Sequence, residues 1–451
     1  MKYIIIGSGP TGLSLANTLS NNGYDILVIE KDNQLGGSWN SQWINGKYWS
    51  ENSPRVLALF KYTKKFLDDL GFKDSDYGEV YGNFFETNYK LFLYVLNFFD
   101  LNDLKIILKS TFKYRKINED ITLQNWIDNS NLSEKAKKGI KIASVTISDR
   151  PDKTNVKDFF CSFSPIFYFK QFKDPNKWHT IIEKNINVIK NTEVVQILED
   201  NKRIKGVKVK NLLSGKYDEL FCDKVILCTQ SNGLLNILKN SSDIIKNNWM
   251  SFNDMNNWCS NTFYNGFGFQ LHFKEKLKFP NMWCWSCVGE WTVIILPVSN
   301  WLNEISKNKD IKTVWSCCIV DLDTKSSKIN KTANDCSKKE VLIECLKQIN
   351  NSYKIPKPYK VTTSNGLEKI DNRWNSKNTG FTRGSNKFLP IKGKLDNLYA
   401  LGCFTQNNIS SISYMETAIL STVNYLNKYE KNINGFHNKK VDPINNLFII
   451  K

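Results

Sequence analysis

The sequence predicts an α/β fold: a Rossmann-type nucleotide-binding domain assembled from discontinuous segments, with an inserted α+β substrate domain. Three observations predict it. An apolar strand, Tyr3–Ile6, runs directly into the turn Gly7-Ser8-Gly9-Pro10-Thr11-Gly12, which opens a helix. A second strand, Asp25–Ile29, ends on the acidic residue Glu30. A third compact apolar run, Asp223–Cys228, reads as a strand returning to the same sheet from far along the chain.

Each part of the first unit has a mechanical role. Gly7 permits the tight strand-to-helix turn, Gly9 lets backbone amides approach a pyrophosphate, and Gly12 lets the helix pack closely on the sheet. Ser8, Pro10 and Thr11 complete the turn, and phosphates are expected at the positive start of the helix. Glu30 is placed to accept hydrogen bonds from a ribose. The helix is expected from Pro10 to about Asn21, with Leu13, Ala16 and Leu19 inward and Gly23 as its stop.

Further along, Leu59, Tyr62, Phe66 and Leu70 have helical spacing, which predicts a helix over 57–70 closed by Gly71. The stretch from Tyr81 to Ile182 reads as mostly helical. Glu193–Leu198 and Ile204–Lys210 alternate as strands around a turn at Asn201-Lys202. Thr262–Phe273, Trp291–Pro297 and Thr313–Val320 are strand-like, Glu340–Asn350 is helical, and a last helix is expected from near Tyr414 to about Tyr425. The expected division is a nucleotide-binding domain from 1–80, 186–235 and 385–451. A mainly helical part (81–185) and a β-rich part (236–384) form the substrate domain.

Composition narrows the function. At 451 residues, with 41% hydrophobic and 13% aromatic residues, the chain has material for two or three globular units. Its net charge of +18 comes from lysines scattered through the chain, without zinc-finger spacing, basic heptads or an aromatic RNA-binding signature, so no specific nucleic-acid partner is expected. No basic leader precedes the strand at Tyr3. The longest apolar run, Leu91–Phe99, is interrupted by Asn97 and is too short to cross a bilayer. Eleven cysteines in such a chain point to reduced thiols and a cytoplasmic setting without a transmembrane anchor. Peripheral contact with a lipid surface through Leu91–Phe99 or Phe159–Phe169 is the alternative.

With these motifs in order, the chain resembles the flavin-containing amine oxidase superfamily, which includes phytoene desaturases and protoporphyrinogen oxidases. The resemblance rests on the glycine turn with Glu30 and Gly36-Gly37, on Glu51-Asn52-Ser53-Pro54-Arg55-Val56, on Val194-Val195-Gln196-Ile197 with Asp223–Cys228, and on Asn397–Gly402 with Tyr414-Met415-Glu416-Thr417-Ala418-Ile419. It implies FAD as cofactor, held by the opening turn and by Gly37, Ser38, Arg55, Val194, Gly402 and Met415. The free amides that begin the last helix suit the negative charge of reduced flavin. It also implies hydride transfer from an organic substrate, an amine being the expectation, with oxygen as the expected electron acceptor. Tyr414 and Trp374 are the expected substrate-pocket walls, with Trp283, Trp285 and Trp291 as further aromatic candidates.

The chain departs from the family pattern at Ser38, where an arginine is common, at Ser53 in place of glycine, and at Cys403 in place of an acid. A non-catalytic flavoprotein is the reading that Ser53 and Cys403 leave open, beside a desaturase or isomerase acting on an apolar substrate. A second nucleotide-binding turn is missing, because Gly266-Phe267-Gly268 lies in a strand-like run, which favours an oxidase over a monooxygenase. Cys284-Trp285-Ser286-Cys287 and Cys317-Cys318 read as strand cysteines, and His179, His272 and His437 fit no triad or metal pattern.

Overall fold

The computed structural model describes residues 2–52, 55–58, 61–79, 96–114, 116, 119–162, 169–264, 266–279, 286–302, 305, 308–375, 381–382, 388–406 and 414–439. Ser53, Trp283, Cys284 and Trp285, and parts of the two apolar segments 91–99 and 159–169, lie outside them.

The nucleotide-binding domain is built on five parallel strands in the order Leu398–Ala400, Lys224–Leu227, Lys2–Ile6, Asp25–Ile29, Val188–Ile189. The run Tyr3–Ile6 is apolar at every position because both faces of this sheet are covered, and its four residues are 0–4% exposed. The first helix, Pro10–Asn21, and the closing helix, Met415–Tyr429, pack against each other. An antiparallel three-stranded sheet (Thr192–Asp200, Arg203–Asn211, Tyr217–Phe221) precedes the strand Lys224–Leu227 in the chain. Its tight turn is at Asn201-Lys202, both with positive φ.

The second domain centres on an antiparallel sheet in the order Ser286–Val288, Val293–Leu296, Thr313–Ile319, Phe267–Phe273, Lys360–Thr363. Side chains alternate across it. Phe267, Phe269, Leu271 and Phe273 pack with Trp315 and the helix Lys338–Ser352 in one core. The other face meets the strand Tyr48–Glu51: Gln270 Nε2 donates to the Glu51 carbonyl (2.8 Å), Thr362 Oγ1 to that of Trp49 (2.8 Å) and Ser364 Oγ to that of Asn52 (2.8 Å). A separate helical unit, Leu101–Tyr114, Leu123–Asp128, Glu134–Ile147 and Val156–Ser162, closes around Trp126, Ile140, Phe159 and Phe160.

Three expectations are corrected. The helix predicted over 57–70 is Lys61–Asp69, because Leu57–Ala58 pair as a strand with Phe169–Phe172. The stretch read as mostly helical up to Ile182 contains the strand Phe169–Phe172. The strand Phe169–Phe172 and the helix Lys177–Glu183 pack with the first segment, Trp178 and Ile182 joining Leu13, Phe66 and Met415 in one core. The strand expected from Thr262 begins at Phe263–Tyr264 and resumes at Phe267, because the helix Phe252–Thr262 occupies Thr262. Among the described residues no helix is long and apolar enough to cross a membrane.

Candidate cofactor cleft and active site

The opening turn is shaped by what its glycines exclude. Gly7 holds φ +100° and a Cβ there would lie 2.8 Å from the Cys228 carbonyl oxygen, while one on Gly12 would lie 2.0 Å from that of Gly7. Gly9 differs: nothing lies within 4 Å of its missing Cβ. It is the N-cap of the first helix and contributes no capping side chain, and Pro10 follows at the position where a missing N–H costs nothing. The helix therefore presents first-turn amides and its positive end toward open space, the arrangement that binds phosphate.

Glu30 is buried at the edge of this turn. Its Oε2 accepts from the Ser8 amide (2.8 Å) and hydroxyl (2.6 Å), and its Oε1 accepts from the Asp32 amide (3.0 Å). A carboxylate has about four acceptor sites, so one remains for a ribose hydroxyl. The backbone facing it is that of Asn191 and Thr192, whose amides donate to the Asp32 and Glu30 carbonyls. Val194 lies further along the antiparallel strand, with its side chain in the core beside Ile6 and Val207.

The Gly36-Gly37 turn lies against the phosphate turn. Gly37 has φ +55° and a Cβ there would be 3.0 Å from Gly9 Cα, while the Gly36 amide donates to the Ser8 carbonyl (2.9 Å). Ser38 and Trp39 follow in a short 3-10 turn. From behind, the ring of His179 presses on Gly36, and Asn176 clamps Ser41 by accepting from its hydroxyl (3.2 Å) and donating to its carbonyl (3.1 Å). Burial pushes His179 down to about 4, so it is neutral at pH 7.

The closing motif reaches the same module. Gly402 donates its amide to Ser421 Oγ (3.0 Å) on the closing helix, and Ser421 also pairs with Thr405 Oγ1 (2.7 Å). The closing helix meets the first helix along a seam of hydroxyls. Thr11 Oγ1 donates to the Ala418 carbonyl (3.0 Å), Thr422 Oγ1 to that of Thr11 (3.1 Å), and Ser14 pairs with Thr422 (2.9 Å). Gly9 and Gly402 thus belong to one module. Tyr414 is the N-cap residue, its amide donating to Thr417 Oγ1 (3.2 Å), and Met415 is buried. Burial pushes the Cys403 thiol up to about 11, and Thr417 Oγ1 donates to its sulfur (3.3 Å), so it acts as a neutral packing group at this corner.

Glu416 has a role that sequence reasoning missed. Its carboxylate accepts from the amides of Tyr62 (3.1 Å) and Thr63 (2.7 Å) and from the Thr63 hydroxyl (2.8 Å), capping the helix Lys61–Asp69 from across the chain. The available signal was that Leu59-Phe60, just before that helix, supply no capping side chain.

The segment after Tyr48–Glu51 brings Arg55 to Trp39 of the 3-10 turn. The Arg55 guanidinium lies 5.2 Å from the Trp39 ring centre and makes no hydrogen bond or ion pair within 4 Å among the described residues. Burial lowers it to about 10 against the opposing pull of Glu51, and burial raises the Glu51 carboxyl against the pull of Arg55. Trp374 is not brought to these residues. It packs edge-on against Phe267 (5.1 Å) in the core on the far side of the sheet, and its Nε1 donates to the Ala333 carbonyl (2.9 Å). Trp291 is buried in the same core. Cys317 and Cys318 point to opposite faces of their strand, one into each neighbouring core.

Residues 5–70 match the family of NAD(P)-binding Rossmann-like domains. Putrescine oxidase, solved bound to putrescine, superposes with a TM-score of 0.61 at 12% identity, covering 94% of this chain and 97% of that one. The chain has an amine oxidase fold. An oxidoreductase from Methanosarcina mazei shares that fold with a TM-score of 0.64 at 15% identity, covering 95% of this chain and 100% of the other. Protoporphyrinogen oxidase 2 of Arabidopsis thaliana is 31% identical over 73 residues, 16% of this chain and only 14% of that relative's length.

Proposed function

We propose that the chain is an FAD-dependent oxidoreductase that oxidises an organic amine, with oxygen as the electron acceptor. The observation that carries this reading is the side-by-side packing of the first and closing helices, which sets the uncapped turn at Gly9 and the Gly402 corner on one module. The residues fit FAD: the open space at Gly9 accommodates a pyrophosphate, Glu30 has an acceptor left for a ribose, and the start of the closing helix offers positive potential to a flavin. Bound there, FAD supplies the hydride acceptor.

The chain's own residues orient the substrate and keep water out. Tyr414 occupies the address next to the closing helix where the resemblance places a pocket tyrosine. Glu51 and Arg55 form a buried, mutually compensating pair beside this module. The fold shared with putrescine oxidase, solved bound to putrescine, is what supports an amine over a polyene. The purified protein is expected to be yellow, and Gly9→Glu is expected to release the flavin by filling the pyrophosphate position with a carboxylate. Anaerobic bleaching by a panel of amines, amino acids and polyenes tests the rest. A colourless protein that ignores added FAD overturns the cofactor, and bleaching by polyenes alone overturns the amine.

A further inference from the structure

The helix Leu101–Tyr114 packs Ile106, Ile107 and Tyr114 against the core of its helical unit, yet carries large apolar side chains on its outer face as well. Its inward face is fixed by Asp103, Ser110 and Tyr114. Asp103 accepts from the Ser133 amide (2.8 Å) and hydroxyl (2.7 Å), Ser110 Oγ accepts from Trp126 Nε1 (3.2 Å), and Tyr114 stacks on Phe160 (6.1 Å). Leu101, Leu108 and Phe112 repeat the same spacing two positions earlier, which turns them about 200° away and keeps them within about 40° of one another. They are 83%, 58% and 63% exposed. Leu96, just before the helix, is 41% exposed. Water selects polar groups for an outermost helix face, and this one carries three large apolar side chains.

Its charge is equally one-sided. Lys105, Lys109 and Lys113 are exposed and run at four-residue spacing along one flank of the apolar stripe. The helix has one acidic residue, Asp103, which is buried and bonded to Ser133. An apolar crest flanked by a lysine row is the pattern that lies in the plane of a bilayer, with the apolar crest among the acyl chains and the ammonium groups at the phosphates. A second copy of the chain is a poorer occupant, because each molecule carries a net charge of +18 and would bring a further lysine row. Nucleic acid would meet the lysines but leaves the leucines and phenylalanine in water.

We propose that this face docks the protein on an anionic lipid surface. It does so independently of the redox chemistry. Flotation of the full chain with phosphatidylcholine vesicles, with and without roughly one-third phosphatidylserine, tests it. The protein is expected to float with the anionic vesicles and not with neutral ones. Combining Leu108→Gln with Phe112→Gln is expected to cut binding at least about tenfold, with melting temperature and flavin content unchanged because both side chains are exposed. Combining Lys105→Gln, Lys109→Gln and Lys113→Gln is expected to weaken binding and flatten its salt dependence. Three results overturn the proposal: wild-type protein that stays in the aqueous layer, apolar variants that float undiminished, or apolar variants that convert a dimer to a monomer by light scattering while no species binds vesicles.

Discussion

A methyl group on Gly37 would lie 3.0 Å from Gly9 Cα, on backbone already at φ +55°. Gly46 offers the control, since it holds φ +64° in a hairpin turn with nothing within 4 Å of its missing Cβ. Alanine at either site adds left-handed strain of about 1 kcal/mol. Only at Gly37 does the added carbon press on the phosphate turn. Gly46→Ala is therefore expected to lower stability without touching cofactor binding, whereas Gly37→Ala lowers both, weakening FAD by at least about tenfold. Urea denaturation read beside FAD titration separates the two effects. Equal FAD affinity in both variants would remove Gly37 from the proposed site. Residue by residue, the opening turn was legible because its glycines stand together between an apolar strand and the helix it opens. Trp374 was not, since a tryptophan in a core and one in a pocket look alike until Phe267 and the Ala333 carbonyl are seen against it.

Elements show where sequence information ran out. Strands Tyr3–Ile6, Asp25–Ile29 and Asp223–Cys228 declared themselves through apolar runs, and the turn at Asn201-Lys202 through its position between two alternating strands and an asparagine that tolerates positive φ. The strand at Leu57–Ala58 did not, because its pairing partner Phe169–Phe172 is far along the chain and helical spacing overrode a two-residue strand. Glu416 is the same case at the end of a helix. The closing motif marked the residue, but its partners Tyr62 and Thr63 come from another segment. Removing that carboxylate leaves the first amides of Lys61–Asp69 without their acceptor in a buried setting. Glu416→Ala is expected to cost about 2–4 kcal/mol, and Glu416→Gln less because one oxygen acceptor remains. Equal unfolding midpoints for wild type and Glu416→Ala would show that water replaces the cap.

Across the whole molecule, three distant segments are tied by one polar knot: Glu430 accepts from Tyr3 (2.9 Å) and Tyr425 (2.9 Å) and pairs with Lys224, joining the start, middle and end of the chain beneath the parallel sheet. The three histidines of the chain follow from that compactness. His179 and His272 are pushed down to about 4, and His437 is lowered, in each case chiefly by burial. Below their ordinary value of 6.5 the unfolded chain takes up protons that the folded chain refuses, so their stabilisation is complete above pH 6.5 and is lost as pH falls toward 4. Glu51 and Glu416, whose carboxyls are raised by burial, act in the opposite direction, so total stability is not the right readout. The difference between wild type and His272→Asn isolates one imidazole, since asparagine can keep the donor that His272 Nδ1 offers to the Lys360 carbonyl (3.3 Å). Between pH 4 and 6.5 the wild-type stability curve is expected to be steeper by up to about 1.4 kcal/mol per pH unit. Parallel curves from urea unfolding across that range would mean that His272 titrates in the folded protein as it does in the unfolded chain.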